Sequence, residues 1–234
     1  MTMRARIVVP LGAVAFGLAA LALSRSSLGD SFTRTPELPT TKDATSLVLI
    51  LDTSGSMDEK VAGGESKLEC AKHVLTEDFL PLLADDLHVA LYRFAEADTV
   101  ELSPLRKNGS RDAPRWTHRE AVMELVDTTK AAGGTPIVAS LRQARGVLGK
   151  LPGRRIVVLV TDGEESYGTK DDVLSQVRGA RTEKIETFVV GFNLGSQGGY
   201  LKDELVLGKA YFEANGGRAS LLAAMESILA KIEK

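Results

Sequence analysis

Two continuous apolar runs, residues 46–51 (Ser-Leu-Val-Leu-Ile-Leu) and 155–160 (Arg-Ile-Val-Val-Leu-Val), constrain the fold more than anything else in the chain. Neither alternates apolar with polar residues, as a strand wet on one side does. A strand apolar at nearly every position is buried on both faces, and that is the interior of a parallel sheet covered by helices above and below. The second run is expected at the centre of the sheet.

The segments between and around these runs fit that architecture. Residues 67–83 place Leu68, Ala71, Val74, Leu75, Phe79 and Leu82 close to helical spacing. Residues 88–94 read as a second strand, and 99–102 as an antiparallel edge partner joined to it by a short turn. Residues 103–118 are polar, carry Pro104, Asn108-Gly109 and Pro114, and are expected to form a loop. Helices are expected over 119–128, 137–148, 170–181 and 219–232. Further strands are expected over 185–190 and 209–213, with 193–200 as a flexible loop. Strands alternating with helices imply right-handed crossovers. The expected class is α/β: a doubly wound, mostly parallel sheet with one antiparallel edge strand and helices on both faces.

At the amino end, Arg4 and Arg6 precede a charge-free apolar run over residues 7–23. Its 17 residues lie between the length of a signal-peptide core and that of a spanning helix, and Ala20-Leu21-Ala22 offers a small-x-small cleavage site. A cleaved signal peptide and an uncleaved anchor both remain open. In either case the preceding positive charge places the rest of the chain outside the cytoplasm, in a periplasmic or outward-facing position, with membrane attachment through residues 7–23 if the run is kept. Residues 24–43, rich in Ser, Thr and Pro, read as a linker, leaving residues 44–234 as one domain.

Charge narrows the partners. The chain carries a net charge of −2, although residues 1–34 hold four Arg and one Asp, so the expected domain is acidic. That argues against nucleic acid, which demands clustered positive charge. The single cysteine, Cys70, excludes an internal disulfide. His73, His88 and His118 lack zinc-type spacing.

Chemistry gathers behind the two apolar runs. Asp52-Thr53-Ser54-Gly55-Ser56 follows the first, Thr161-Asp162-Gly163-Glu164 follows the second, and Gly133-Gly134-Thr135-Pro136 forms a third polar turn. In a doubly wound sheet all three lie at the carboxyl edge, where ligands bind near the reversal of strand order. They offer two carboxylates and hydroxyls, with no His or Cys, and hard cations such as Mg²⁺ select oxygen donors of that kind. Each segment alone is also ordinary turn sequence.

The Asp52-x-Ser54-x-Ser56 pattern resembles the signature of von Willebrand factor A domains, as in integrin inserted domains, and Thr135 and Asp162 match the later positions of their metal-ion-dependent adhesion site in type and order. The resemblance spans roughly residues 45–232. It implies hydroxyl ligands from Ser54, Ser56 and Thr135, with Asp52 and Asp162 holding Mg²⁺ or Mn²⁺ directly or through water. It also implies a last position filled by an Asp, Glu or terminal carboxylate of a partner protein.

The expected function is therefore metal-dependent protein binding and not catalysis. Two alternatives stand beside it: a purely structural metal with contacts made by loops and helices, and a metal-dependent hydrolase. The hydrolase reading is the weaker. A phosphoryl-accepting Asp is usually followed two residues on by a second acid, and that position here is Ser54. No phosphate-cradling Gly-x-x-x-x-Gly-Lys loop is present either. Trp116 and Arg115, in a basic loop with Arg106, Lys107, Arg111 and Arg119, are candidate partner contacts because Trp and Arg dominate binding hot spots. Glu164, beside the proposed ligand Asp162, is a third. The plainer reading of each is solvated surface.

Overall fold

The computed structural model describes residues 36–113, 116–194, 199–205 and 210–234. The apolar run over 7–23, most of the expected linker, and Arg115 lie outside the described residues. No helix among the described residues is long and apolar enough to cross a membrane.

Among the described residues the first element is β1 (Thr45–Leu51), followed by a 3₁₀ turn at Gly55–Asp58 and helix α1 (Lys67–His73). Then come β2 (His88–Ala95), β3 (Asp98–Lys107), a small hairpin of β4 (Arg111–Ala113) and β5 (Trp116–Thr117), and helices α2 (His118–Thr128) and α3 (Ile137–Leu148). The second half runs β6 (Arg154–Thr161), α4 (Lys170–Thr182), β7 (Ile185–Phe192), α5 (Gly199–Leu205), β8 (Tyr211–Ala214) and α6 (Arg218–Ile232). The main sheet has six strands in the order β3-β2-β1-β6-β7-β8. Within that sheet, among the described residues, only the β2–β3 pair is antiparallel. Helices α1, α2 and α6 pack together on one face, and α3 and α4 on the other.

The apolar runs sit where their composition demands. Leu47 to Leu51 and Ile156 to Val160 are buried, and β1 and β6 pair in parallel at the centre of the sheet, Leu51 opposite Val160. The chain leaves β1 toward β2 on one side and leaves β6 toward β7 on the other. Strand order thus reverses between the carboxyl ends of β1 and β6, and the loops following them splay apart to form a crevice.

Local sequence explains several helix starts. Ser66 caps α1 by accepting from Glu69 N. Thr117 with Glu120 and Thr169 with Asp172 form reciprocal capping boxes on α2 and α4.

The structure corrects four expectations. Residues 103–107 continue β3 and are not loop, and 111–113 with 116–117 form the β4–β5 hairpin. Pro104 is tolerated because β3 is the edge strand and its register slips opposite residues 89–92. The helical path over 67–83 is regular only to His73. It then passes through a wider π-type turn, Val74–Phe79, and a 3₁₀ turn, Leu80–Leu82, that contains Pro81. The segment 193–200 is not loop throughout, because α5 begins at Gly199. The final strand is Tyr211–Ala214, one residue beyond the expected end, and Lys209 lies outside the described residues.

Candidate metal centre

Asp52 follows β1 directly and is fully buried. Its backbone N–H continues the ladder by donating to Val160 O at 2.9 Å. Its carboxylate is held by two different elements. Oδ1 accepts from Ser54 N at 2.8 Å, and Oδ2 accepts from the hydroxyl of Thr161, the last residue of β6, at 2.6 Å. From there the polar groups run on in contact. Ser54 Oγ lies 3.1 Å from Ser56 Oγ, and the Ser56 hydroxyl donates to Asp162 Oδ1 at 2.9 Å.

Thr135 approaches from the third loop and is 5% exposed. The loop is tied to the first by Ala132 N donating to Thr53 O (2.7 Å) and Gly55 N donating to Gly133 O (3.0 Å). Gly133 has φ +78°, and a Cβ there would lie 2.8 Å from the Glu96 backbone nitrogen. A side chain would push the Thr135 turn out of place. Thr135 is tied to the loop after β6 as well: Ser166 N donates to Thr135 O and Thr135 N donates to Ser166 Oγ. Its Oγ1 is 3.1 Å from where a Cβ on Gly163 would stand, so glycine at 163 keeps that hydroxyl against the Asp162 loop. All five expected residues are thus brought to one crevice by three loops.

The electrostatics of the two acids differ. No cationic side chain among the described residues forms an ion pair with Asp52. Burial pushes its pKa from 3.8 up to about 6, against the lowering effect of the Ser54 and Thr161 hydrogen bonds, and the nearby charge of Asp162 adds to the rise. Asp162 does have a cation. Lys67 Nζ donates to Asp162 Oδ2 at 2.7 Å and to Glu59 Oε2 at 2.7 Å. Burial alone would pull the Lys67 pKa down, but its two carboxylate partners outweigh that and hold it above the ordinary lysine value. The same contact with Lys67 holds the Glu59 carboxyl below its usual range.

The donor set suits a hard divalent cation. It is all oxygen and partly neutral, and one of its two carboxylates is buried with its charge unmatched. It contains no cluster of three or more His, Cys, Asp or Glu side chains, and there is none elsewhere among the described residues. Hydroxyls, not further acids, complete it.

Two residues escaped the sequence reading: Thr161 holds Asp52, and Lys67 faces Asp162. Glu165, which reads from its place beside Glu164 as a solvated acid, reaches across to α3. Glu165 Oε2 accepts from Val138 N at 2.6 Å, supplying a cap that α3 lacks from its own Pro136, while Oε1 accepts from Tyr167 N at 2.8 Å. The Tyr167 ring lies against Gly134 and is 54% exposed, an aromatic rim beside Thr135. Lys67 did leave a signal: a lysine in the first turn of a helix opposes the helix dipole and needs a partner.

The candidate partner contacts lie apart from one another. Glu164 stays near the crevice but pairs with Lys170 at 2.7 Å. Trp116, 37% exposed, sits in the hairpin at the amino edge of the sheet. There Asn108 N donates to Leu87 O and His118 N to Ser110 O. Arg115 lies outside the described residues. Cys70 is fully buried, and burial pushes its thiol up to about 11, as expected for an inert thiol.

Comparison with known proteins decides the family. The model of the von Willebrand factor type A domain matches residues 47–165, just over half of the chain. The chain belongs to the von Willebrand factor type A domain family. The uncharacterized protein YwmD of Bacillus subtilis (strain 168) is 30% identical over 181 residues, covering 73% of this chain and 79% of that protein. The pilus adhesin SpaC of Lactobacillus rhamnosus GG shares the fold at TM-score 0.66 and 16% identity. That match covers 85% of this chain and 32% of the adhesin, so the chain corresponds to about a third of that protein. The manganese-loaded TRAP protein of Plasmodium vivax matches at TM-score 0.55 and 16% identity, covering 81% of this chain and 75% of its own.

Proposed function

We propose that this von Willebrand A domain binds a partner protein through Mg²⁺ or Mn²⁺ held by Asp52, Ser54, Ser56, Thr135 and Asp162, with an Asp, Glu or terminal carboxylate of the partner completing the metal shell. The observation that carries the reading is the buried carboxylate of Asp52, hydrogen-bonded but facing no cationic side chain among the described residues, inside a set of oxygen donors drawn from three loops. Bound there, the metal would supply an electron-poor position for an incoming carboxylate. The chain's own residues hold that position open: Thr161 fixes Asp52, and Ser166 with Gly133 fix Thr135.

A purely structural metal is the weaker reading. The three loops are already fastened by Gly55–Gly133, Ala132–Thr53 and Ser166–Thr135 hydrogen bonds, all between protein groups. The apolar run over 7–23 further suggests that the domain works outside the cytoplasm.

Calorimetric titration of Mg²⁺ and Mn²⁺ into the full chain, beside an Asp52→Ala, Ser54→Ala form, tests the proposal. Saturable one-site binding that the double substitution abolishes is the expected result. A folded wild-type chain that takes up neither ion would overturn it.

A further inference from the structure

One side chain at the crevice carries the wrong sign for a cation site. Lys67 opens α1, is 7% exposed, and aims its ammonium at Asp162 Oδ2. Asp162 therefore divides its oxygens: Oδ1 faces Ser56 and the oxygen cluster, and Oδ2 faces Lys67. Position and burial both disfavour a lysine here, since it stands at the positive end of a helix and out of water. It is kept in place from the other side. Glu59, whose side chain is 67% exposed, takes the same ammonium through Oε2 and receives the Lys67 backbone N–H on its carbonyl oxygen at 3.0 Å. The three groups form a row, Asp162–Lys67–Glu59, running from the crevice to solvent.

We propose that Lys67 is a tethered competitor cation that weakens the site's hold on a divalent metal, and that Glu59 sets the strength of the competition by drawing charge from Lys67 toward solvent. The proposal rests on the metal-binding function above and says how that site is tuned. With half of Asp162 committed to an ammonium, the donor set offers a metal little more than the charge of Asp52. Such a site holds the ion loosely until a partner carboxylate adds the missing negative charge, so metal and partner binding become mutually dependent. Interactions of this kind are worth most when the charges are close and shielded from water, as Lys67 and Asp162 are.

Mg²⁺ and Mn²⁺ alone are the probes, titrated calorimetrically into the full chain and into Lys67→Met, Glu59→Gln and the double variant, with thermal melting in EDTA as the check of folding. Lys67→Met is expected to bind Mg²⁺ about tenfold more tightly than the wild type, by charge removal at close range. Glu59→Gln is expected to bind it several-fold more weakly, and the double variant to match Lys67→Met. Opposite shifts from two members of one row are not what a merely structural Lys67 would produce. If Lys67→Met binds the metal no more tightly, or more weakly, the proposal fails while the metal site stands. If Lys67→Met does not fold, Glu59→Gln decides alone, and an affinity equal to or above wild type refutes it. Absence of metal binding in every folded form overturns the metal-binding function itself, and this proposal with it.

Discussion

A buried carboxylate without a cation is an unstable thing to keep, and Asp52 is such a group. Its raised pKa means that the folded chain resists ionising it, so at neutral pH the charged form lowers stability. An isosteric amide keeps an acceptor for Ser54 N and removes the charge. In EDTA at pH 7, Asp52→Asn should therefore melt at or above the wild type, with a gain of about 1 kcal/mol, roughly 2–4 °C for a domain of this size. Added Mg²⁺ should raise the melting temperature of the wild type only, because binding to the folded form alone stabilises it. Differential scanning calorimetry with and without Mg²⁺ reads both. An Asp52→Asn chain that melts well below wild type in EDTA would mean that the carboxylate supports the fold itself. At this scale the sequence singled out the five candidate ligands and left most of their neighbours unmarked. Asp52, Ser54, Ser56 and Asp162 stand out by type and by position after buried strands, and Thr135 by its place in a Gly-Gly-Thr-Pro turn. The contacts of Thr161 with Asp52, of Lys67 with Asp162 and of Glu165 with Val138 span 109, 95 and 27 residues, and spacing along the chain does not encode them.

Among the elements, the strands buried on both faces were the most legible, because β1 and β6 are apolar at almost every position for a reason that packing enforces. Irregular elements were hidden. Pro104 and Asn108-Gly109 suggested loop, yet an edge strand accepts a proline because its outer N–H groups need no partner. The turn between α3 and the loop after β6 carries a device of the same hidden kind. Proline at position 136 leaves α3 without a cap of its own, and Glu165 provides one from another loop while also holding Tyr167 N. Charge-assisted bonds to backbone amides at a helix start are worth about 1–3 kcal/mol together. Glu165→Ala should lower unfolding stability by about that much in urea titration. It should also weaken Mg²⁺ binding several-fold, since Thr135 sits on the turn that Glu165 braces. Lost stability with metal affinity unchanged would show that Thr135 is positioned by Ser166 and Gly133 alone.

Across the whole molecule the two edges of the sheet divide the surface. The carboxyl edge, at the reversal of strand order between β1 and β6, holds every proposed metal ligand and the exposed ring of Tyr167. The amino edge holds the β4–β5 hairpin with Trp116, fastened to the entry of β2 through Asn108 and His118. A hot-spot argument from composition would join tryptophan to the metal site, and the topology separates them by the length of the sheet. Helix α2 runs between them, leaving the hairpin at His118 and ending at Thr128, a few residues before the Gly133–Thr135 turn. If the domain captures its partner only at the carboxyl edge, Trp116→Ala should leave Mg²⁺ affinity within about twofold of wild type by calorimetry, since α2 is braced at its start by its own capping box. A tenfold loss of metal affinity in a folded Trp116→Ala chain would carry a different meaning. The hairpin would then be coupled to the metal edge through α2, and a ligand at one edge would have to report on the occupancy of the other.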